Sequence, residues 1–222
     1  MNGLFEFPFV AKPDVNAIDS ATRAFAAKSS WFFEDIIGVG LTNFVNSINW
    51  LFNHIPWFVL VALVFFLGWK ARGRLISGVI YAAMLFFIGV VGLWSLMLMT
   101  LSIVVASVII ALVLGFPIGI LISGSERANS IMRPILDTMQ TMPVFVYLIP
   151  ALLFFGMGSA SAVIATVIYA IVPVIRLTSL GIRQVDAEVV EAARAFGSTK
   201  MQTLVKVQIP QAMPTIMTGV NQ

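Results

Sequence analysis

The chain contains no cysteine, a single histidine (His54) and unusually few charged residues. Without cysteine it can form no disulfide framework, no thiolate metal site and no cysteine nucleophile. One histidine provides no cluster for metal binding or catalysis, so neither a metal site nor a catalytic residue is predicted. Charged residues make up 10% of the 222 residues, whereas an ordinary soluble domain carries about 25%. This shortage of polar side chains excludes a water-exposed surface over most of the chain.

Apolar residues make up 59% of the sequence, and the mean hydropathy is +0.99. A disordered chain would need the opposite balance, with low hydrophobicity and high charge. Long apolar segments instead predict an all-α integral membrane protein, a polytopic helical bundle embedded in the lipid bilayer.

Five apolar segments predict membrane-spanning helices, because about 20 residues cross the hydrocarbon core. They cover residues Ile55–Trp69, Leu75–Trp94, Leu96–Ser123, Ile135–Phe155 and Ala160–Leu180. Ahead of them, Trp31–Phe52 has the apolar spacing of an amphipathic helix that lies in the membrane interface. At the other end, Thr215–Gln222 resembles the opening of a further span. We therefore expect the final span to be missing and the chain to be incomplete at its C-terminus.

Basic residues predict the orientation, since cytoplasmic loops are enriched in lysine and arginine. Placing the Lys70–Arg74 loop in the cytoplasm puts ten of the 13 basic residues on that side. The N-terminus is then outside. These divisions predict three parts: an extracytoplasmic and amphipathic segment over residues 1–54, two accessory helices over 55–95, and a core over 96–222.

Residues 181–214 regain charge and predict two short cytoplasmic helices. Asp186 can cap the first helix, Gly197 suits the left-handed residue that ends it, and Ser198 can cap the second, which is expected to stop before Pro210. Helix–turn–helix shape alone suggests DNA binding, but the flanking spans and mixed charge argue against a nucleic-acid partner. Taken alone, the segment fits either a docking knob or a solvated, well-capped loop.

The sequence contains neither a phosphate-binding loop nor the mid-membrane ionisable residues of an ion-coupled carrier. No Gly-Lys dipeptide occurs, so a P-loop for ATP is excluded. Within the spans only Asp137 and Arg176 are charged, both near cytoplasmic ends. Ion-coupled carriers place ionisable residues at mid-membrane, so any transport here would draw its energy from another protein.

Two further patterns have alternative interpretations. Gly115 and Gly119 lie four residues apart, which favours close helix packing over gating. Proline breaks or kinks helices, so Pro143 and Pro150 are expected to interrupt the fourth span. The candidate substrate-pathway residues around this break either offer polarizable and π surfaces to a cation or pack between helices. They are Met139, Met142, Pro143, Phe145 and Tyr147.

Residues 191–210 resemble the EAA loop of binding-protein-dependent ABC import permeases. The pattern of that loop is E-A-A, three residues, G, nine residues, I-x-L-P; here Glu191, Ala192, Ala193 and Gly197 match, and Val207-Gln208-Ile209-Pro210 closes the segment with two conservative changes. The resemblance implies that this loop docks on a separate ATP-hydrolysing subunit. It also implies that the chain is not itself an enzyme and binds no cofactor.

A narrower resemblance suggests the substrate. Residues 137–150, 173–185 and 209–222 are similar to glycine betaine/proline betaine permeases, and the similarity runs from about residue 50 to the end. It implies an importer of such osmoprotectants in a bacterial cytoplasmic membrane, working as two permease copies with an extracytoplasmic substrate-binding protein. Two alternatives stay open: a permease for choline, carnitine or an amino acid, and a non-transporting membrane scaffold.

Overall fold

The computed structural model describes residues 15–222, except for the side chains of Val15, Asn16, Ile18, Asp19 and Arg23. Residues 1–14 of the predicted N-terminal segment therefore lie outside the described part. Throughout the described part the regular structure is helical, as the sequence predicts. In chain order the helices are α1 Val15–Ser30, a π-helical stretch Trp31–Gly38, α2 Val39–His54, α3 Trp57–Arg72, α4 Leu75–Val90, α5 Trp94–Ser123, α6 Glu126–Thr141, α7 Phe145–Phe155, α8 Ser159–Arg183, α9 Ala187–Ala195, α10 Lys200–Thr203, a second π-helical stretch Leu204–Gln208, and α11 Ile209–Asn221.

Helices α5 and α8 form the axis of the bundle. Within residues 15–222 they are the two single helices long and apolar enough to cross a membrane. Two more spans result if two bent pairs each count as one span: α6 with α7, and the helical stretch Ser20–His54 with α3. By length and composition the structure thus gives two to four spans, and it confirms the predicted all-α helical bundle. Helices α3 and α4 have 16 residues each, which is about 24 Å of helix against about 30 Å of hydrocarbon, so neither counts as a span by itself.

Glycines allow α8 to approach its neighbours on two sides. A β-carbon on Gly115 would lie 2.9 Å from a side-chain carbon of Val174, and one on Gly219 would lie 2.9 Å from the Pro173 carbonyl oxygen. Small residues let helix backbones approach closely in membranes. The packing interpretation of the Gly115–Gly119 pair is therefore confirmed, with α5 on one side of α8 and α11 on the other.

Apolar clusters extend along this axis from α2 to α11. Val45 of α2 is fully buried against Ala106 of α5 and Val163 of α8. Asn49 of α2 also donates to the Ser102 hydroxyl over 3.3 Å. The predicted helix is confirmed, and one of its faces packs into the bundle; its position in the membrane interface stays a prediction.

The predicted fourth span is broken at Pro143. Helix α6 begins at Glu126, nine residues before the predicted start at Ile135, and it meets α7 at an angle of 92°. Met142 has an extended backbone, with φ −73° and ψ 135°, because a residue before proline is disfavoured in the helical region. Helix α7 continues through Pro150. The expected interruption is therefore found at the first proline and not at the second.

Candidate functional site: the α9–α10 knob

The segment after α8 forms an exposed knob, here called the α9–α10 knob, over residues 184–203. Asp186 caps α9 as predicted, since its Oδ1 accepts a hydrogen bond of 2.9 Å from the Glu188 N–H. The cap of the second helix is Thr199 and not Ser198. The Thr199 hydroxyl accepts from the Gln202 N–H, and the Gln202 side chain accepts from the Thr199 N–H. This reciprocal pair is a capping box, which Ser198 cannot make because Met201 stands three residues after it.

The expectation that the second helix stops before Pro210 is also wrong. After α10 the chain continues as the π-helical stretch and then as α11, with Pro210 in the first turn of α11. Pro210 has no N–H to donate, and it stands where the π-helical stretch ends, directly after Ile209, whose N–H donates to the Leu204 carbonyl. The knob is therefore joined to α11 by uninterrupted helix, and α11 packs on α8 at Gly181 and Ala212.

Gly197 makes the sharp reversal between the two helices. Its φ is +84°, in the left-handed region, as the sequence predicts. The Gly197 N–H donates to the Arg194 carbonyl over 2.9 Å, and the Ser198 N–H donates to the Ala193 carbonyl over 3.1 Å. Together these bonds form a Schellman motif, which satisfies the last carbonyls of α9. Glycine is therefore needed at this position for its backbone conformation and not for lack of space, because a β-carbon on Gly197 would meet no atom within 4 Å.

The remaining candidate coupling residues lie on α9. Glu191 and Ala192 are exposed, and Ala193 is half-buried. Their small and acidic side chains therefore belong to the outer surface of the knob. Whether this surface binds an ATPase stays a prediction.

Two large apolar side chains, which are not among the predicted site residues, lie at the tip of the knob. Phe196 is 91% exposed and Met201 is 67% exposed. Both lie near the Gly197 turn, in a segment that also carries Glu191, Arg194 and Lys200. An aromatic residue directly before a helix-ending glycine in a polar stretch is the signal that could have identified Phe196.

The candidate substrate-pathway residues do not all face one space. Met139 packs against the buried cluster of Ile122, Leu136 and Ile175. The Tyr147 hydroxyl donates to the Met139 carbonyl over 2.9 Å and so joins α7 back to α6. These two contacts support the packing interpretation for Met139 and Tyr147.

Met142, Pro143 and Phe145 lie at the bend itself and are exposed, Phe145 to 73%. The structure therefore separates them from the packed pair of Met139 and Tyr147. A role in contacting substrate stays a prediction for all five residues.

Two charged contacts that the sequence does not predict connect α6 to α8. Arg176 lies 2.9 Å from an Asp137 carboxylate oxygen and donates to the Gln140 side chain over 2.7 Å. One helical heptad further along α8, Arg183 pairs with Glu126. These contacts attach the helix that leads into the bend to the helix that leads into the knob. Among the described residues, no group of three or more histidine, cysteine or acidic side chains could hold a metal ion.

Comparison with known proteins places these features in context. Residues 111–221 match the family described as binding-protein-dependent transport system inner membrane component. The chain is 45% identical to the glycine betaine/carnitine transport permease protein GbuB of Listeria monocytogenes, over 86% of the chain and 68% of the relative. It is 39% identical to the glycine betaine/proline betaine permease ProW of Escherichia coli, over 93% and 62%.

A third relative is the glycine betaine permease OpuAB of Bacillus subtilis, which is 47% identical over 86% of the chain and 67% of its own length. The chain thus spans about two thirds of the length of these relatives, between 62% and 68%. The similarity covers the bent helix pair, both long helices and the α9–α10 knob.

Proposed function

Because the chain belongs to the family of binding-protein-dependent transport system inner membrane components, we propose that it is the transmembrane subunit of an ATP-driven importer of glycine betaine-type osmoprotectants. The observation that carries the proposal is the α9–α10 knob, an exposed, capped structure on a chain without a phosphate loop. The named substrates of the three relatives support the substrate class.

In this proposal the knob docks on a separate ATPase subunit, which hydrolyses the ATP. Glu191, Ala192 and Ala193 form the docking surface, and Gly197 holds α9 and α10 at a fixed angle. Closure of the ATPase would move the knob and, through α8 and α11, the rest of the bundle. The permease contributes a two-state element, and the ATPase biases it between inward- and outward-facing forms.

We infer the orientation from the basic residues, with α3 and α4 counted as separate short spans as the sequence predicts. The N-terminus then lies outside and the knob lies in the cytoplasm. Two permease copies pair around a central pathway, as the family resemblance implies. A substrate-binding protein delivers the solute from outside, so the permease requires no strong pocket of its own. Met142 and Phe145 at the bend are the exposed residues best suited to face a trimethylammonium group, because sulfur and aromatic rings are polarizable.

A permease for a related solute is the second candidate, and the carnitine in the name of the Listeria relative favours it specifically. Choline and amino acids belong to the same alternative. A scaffold without transport activity would use the same knob to recruit a partner and would move no solute.

The test is uptake of labelled glycine betaine in cells without other betaine transporters. The complete reading frame is produced with its ATPase and binding protein, and proline betaine, carnitine, choline and proline are added as competitors. Uptake that requires ATP hydrolysis and is reduced by proline betaine is the expected result. Carnitine uptake alone would replace the substrate, and assembly with the ATPase but no uptake of any of these solutes would favour the scaffold.

A further inference from the structure

Arg176 of α8 makes two polar contacts near the end of α6. Its terminal nitrogen Nη1 lies 2.9 Å from an Asp137 carboxylate oxygen and donates to the Gln140 side-chain oxygen over 2.7 Å. Asp137 and Gln140 are three residues apart, so they lie on the same face of α6. The contacted turns end directly before the break at Pro143. Arg176 therefore holds the helix end from which the bend between α6 and α7 starts.

The far side of the bend is tied to the same turns of α6. The Tyr147 hydroxyl of α7 donates to the Met139 carbonyl over 2.9 Å. Met139 lies in the chain between the two residues that Arg176 contacts. A displacement of Arg176 would therefore reach α6 first and, through Tyr147, the beginning of α7.

Helix α8 has a weak point just before Arg176. Pro173 has no N–H to donate to the Tyr169 carbonyl, so the helix lacks one backbone hydrogen bond there. Prolines are a common cause of bends in helices. Beyond Arg176 the helix contains no further proline, ends at Arg183 and leads into the α9–α10 knob. Arg176 thus lies on the side of Pro173 that would move with the knob.

The contact of Arg176 with Asp137 adds little to the stability of the bundle. The two side chains are 42% and 45% exposed, and ion pairs exposed to this extent contribute little net free energy. The contact between α6 and α8 also includes a buried apolar cluster that contains Leu136, Val172 and Ile175. Loss of the ion pair should therefore change how the end of α6 is held without unfolding the protein.

We propose that Arg176 is a positioning residue that couples the knob to the bend between α6 and α7. When the knob moves, the part of α8 beyond Pro173 moves with it. Arg176 carries that displacement through Asp137 and Gln140 to the end of α6, and the bend follows. This inference rests on the proposed function, because the movement of the knob comes from the ATPase subunit.

The test compares solute uptake with ATP hydrolysis in proteoliposomes that contain the complete transporter with its ATPase and binding protein. Uptake of labelled glycine betaine and release of phosphate are measured in the same sample, and their ratio reports the coupling. We expect Arg176→Gln to lower the solute taken up per ATP hydrolysed by about fivefold, within the range for mutations that change the coupling between two sites. ATP hydrolysis itself should continue, because the knob is unchanged.

Two further variants separate the ion pair from a general effect of substitution. Arg176→Lys should retain most of the coupling, since both contacts come from one nitrogen and an ammonium group is a point charge with three donors. Glu126→Gln is the matched control. It removes the other ion pair between α6 and α8, that with Arg183, but leaves the end of α6 held by Arg176. Its coupling ratio should equal that of wild type.

A double-mutant cycle tests whether Arg176 acts through Asp137. Asp137→Ala should lower the coupling ratio by a factor similar to that of Arg176→Gln. The double variant should be no worse than either single variant, because the effects of residues that act as a unit are not additive. Melting temperatures of all variants show whether each complex is folded.

Four results would overturn this inference and leave the proposed function intact. They are a wild-type ratio in Arg176→Gln, an equal loss of coupling in Glu126→Gln, a loss in Arg176→Lys as large as in Arg176→Gln, and losses that multiply in the double variant. A parallel fall of uptake and ATP hydrolysis in both Arg176→Gln and Asp137→Ala would indicate a structural role and would also overturn it. A wild-type complex without ATP-dependent uptake would instead contradict the proposed function, and this inference with it.

Discussion

Gly119 of α5 lies so close to Thr178 of α8 that a β-carbon on the glycine would be 2.6 Å from the Cβ of the threonine. The same β-carbon would lie 2.9 Å from the Ile175 carbonyl oxygen. Neither a Cβ nor a backbone oxygen can turn away, so α5 and α8 would have to separate. The two long helices therefore depend on this glycine for their spacing.

Replacing Gly119 with alanine should destabilise the bundle. Overpacking of this kind costs about 1–3 kcal/mol, which outweighs the gain of up to about 1 kcal/mol in helix propensity. The measurement is thermal unfolding of the purified complex in detergent. Gly124→Ala is the matched control, because its β-carbon would meet its nearest atom, the Leu121 carbonyl oxygen, at an ordinary 3.7 Å. Equal melting temperatures for the two variants would contradict the role of Gly119 in spacing.

The sequence predicted local features well where the cause is local. The left-handed Gly197, the Asp186 cap and the break at Pro143 each depend on a few neighbouring residues, and all three are found. Residue type alone predicts Ser198 as a cap, but a capping box also needs a partner three residues later. Thr199 has Gln202 there, so the correct cap was readable from the sequence.

Features that depend on tertiary contact could not be predicted. Arg176 and Asp137 are 39 positions apart in the chain, and only the bend after α6 brings their helices together. Likewise, the spacing of Gly115 and Gly119 indicates a close helix contact but not its partner. For the candidate site, residue type and spacing identified the α9–α10 knob, whereas the exposure of Phe196 required the structure.

Because Thr199 forms the capping box, Thr199→Ala should destabilise α10 more than Ser198→Ala does. Thr199→Ala removes the hydroxyl that accepts from the Gln202 N–H, and loss of an N-cap typically costs about 1 kcal/mol. Ser198→Ala removes a hydroxyl for which no such bond is found in the knob, and it should cost less. Hydrogen exchange of the α10 amides measures both effects. Faster exchange in Ser198→Ala than in Thr199→Ala would restore Ser198 as the cap.

Phe196→Ser should weaken binding of the ATPase subunit without unfolding the permease. The ring is 91% exposed, so the isolated chain loses little packing. Burial of a phenylalanine in an interface contributes about 1.5–3 kcal/mol, which corresponds to a loss of affinity of about tenfold or more. The measurement is titration of the purified ATPase against the permease in nanodiscs.

Met157→Ser is the control for Phe196→Ser. Met157 is 96% exposed but lies in the loop between α7 and α8. The Met157→Ser variant should therefore bind the ATPase with unchanged affinity. An equal loss of affinity in both variants would indicate a general effect of exposed apolar residues and would exclude a specific contact of Phe196 with the ATPase.

At Gly197 the effect of backbone conformation can be tested separately from steric crowding. A side chain at this position would meet no atom within 4 Å, but the φ of +84° remains unfavourable for residues other than glycine. Asparagine tolerates the left-handed region and β-branched valine does not. Gly197→Val should therefore distort the angle between α9 and α10 and abolish ATP-dependent uptake, whereas Gly197→Asn should retain much of it.

Both variants should reach the membrane at normal abundance, because the knob lies outside the packed helices. Uptake lost equally in both variants would indicate that the partner excludes any side chain here, and normal uptake in Gly197→Val would remove the glycine turn from the coupling mechanism.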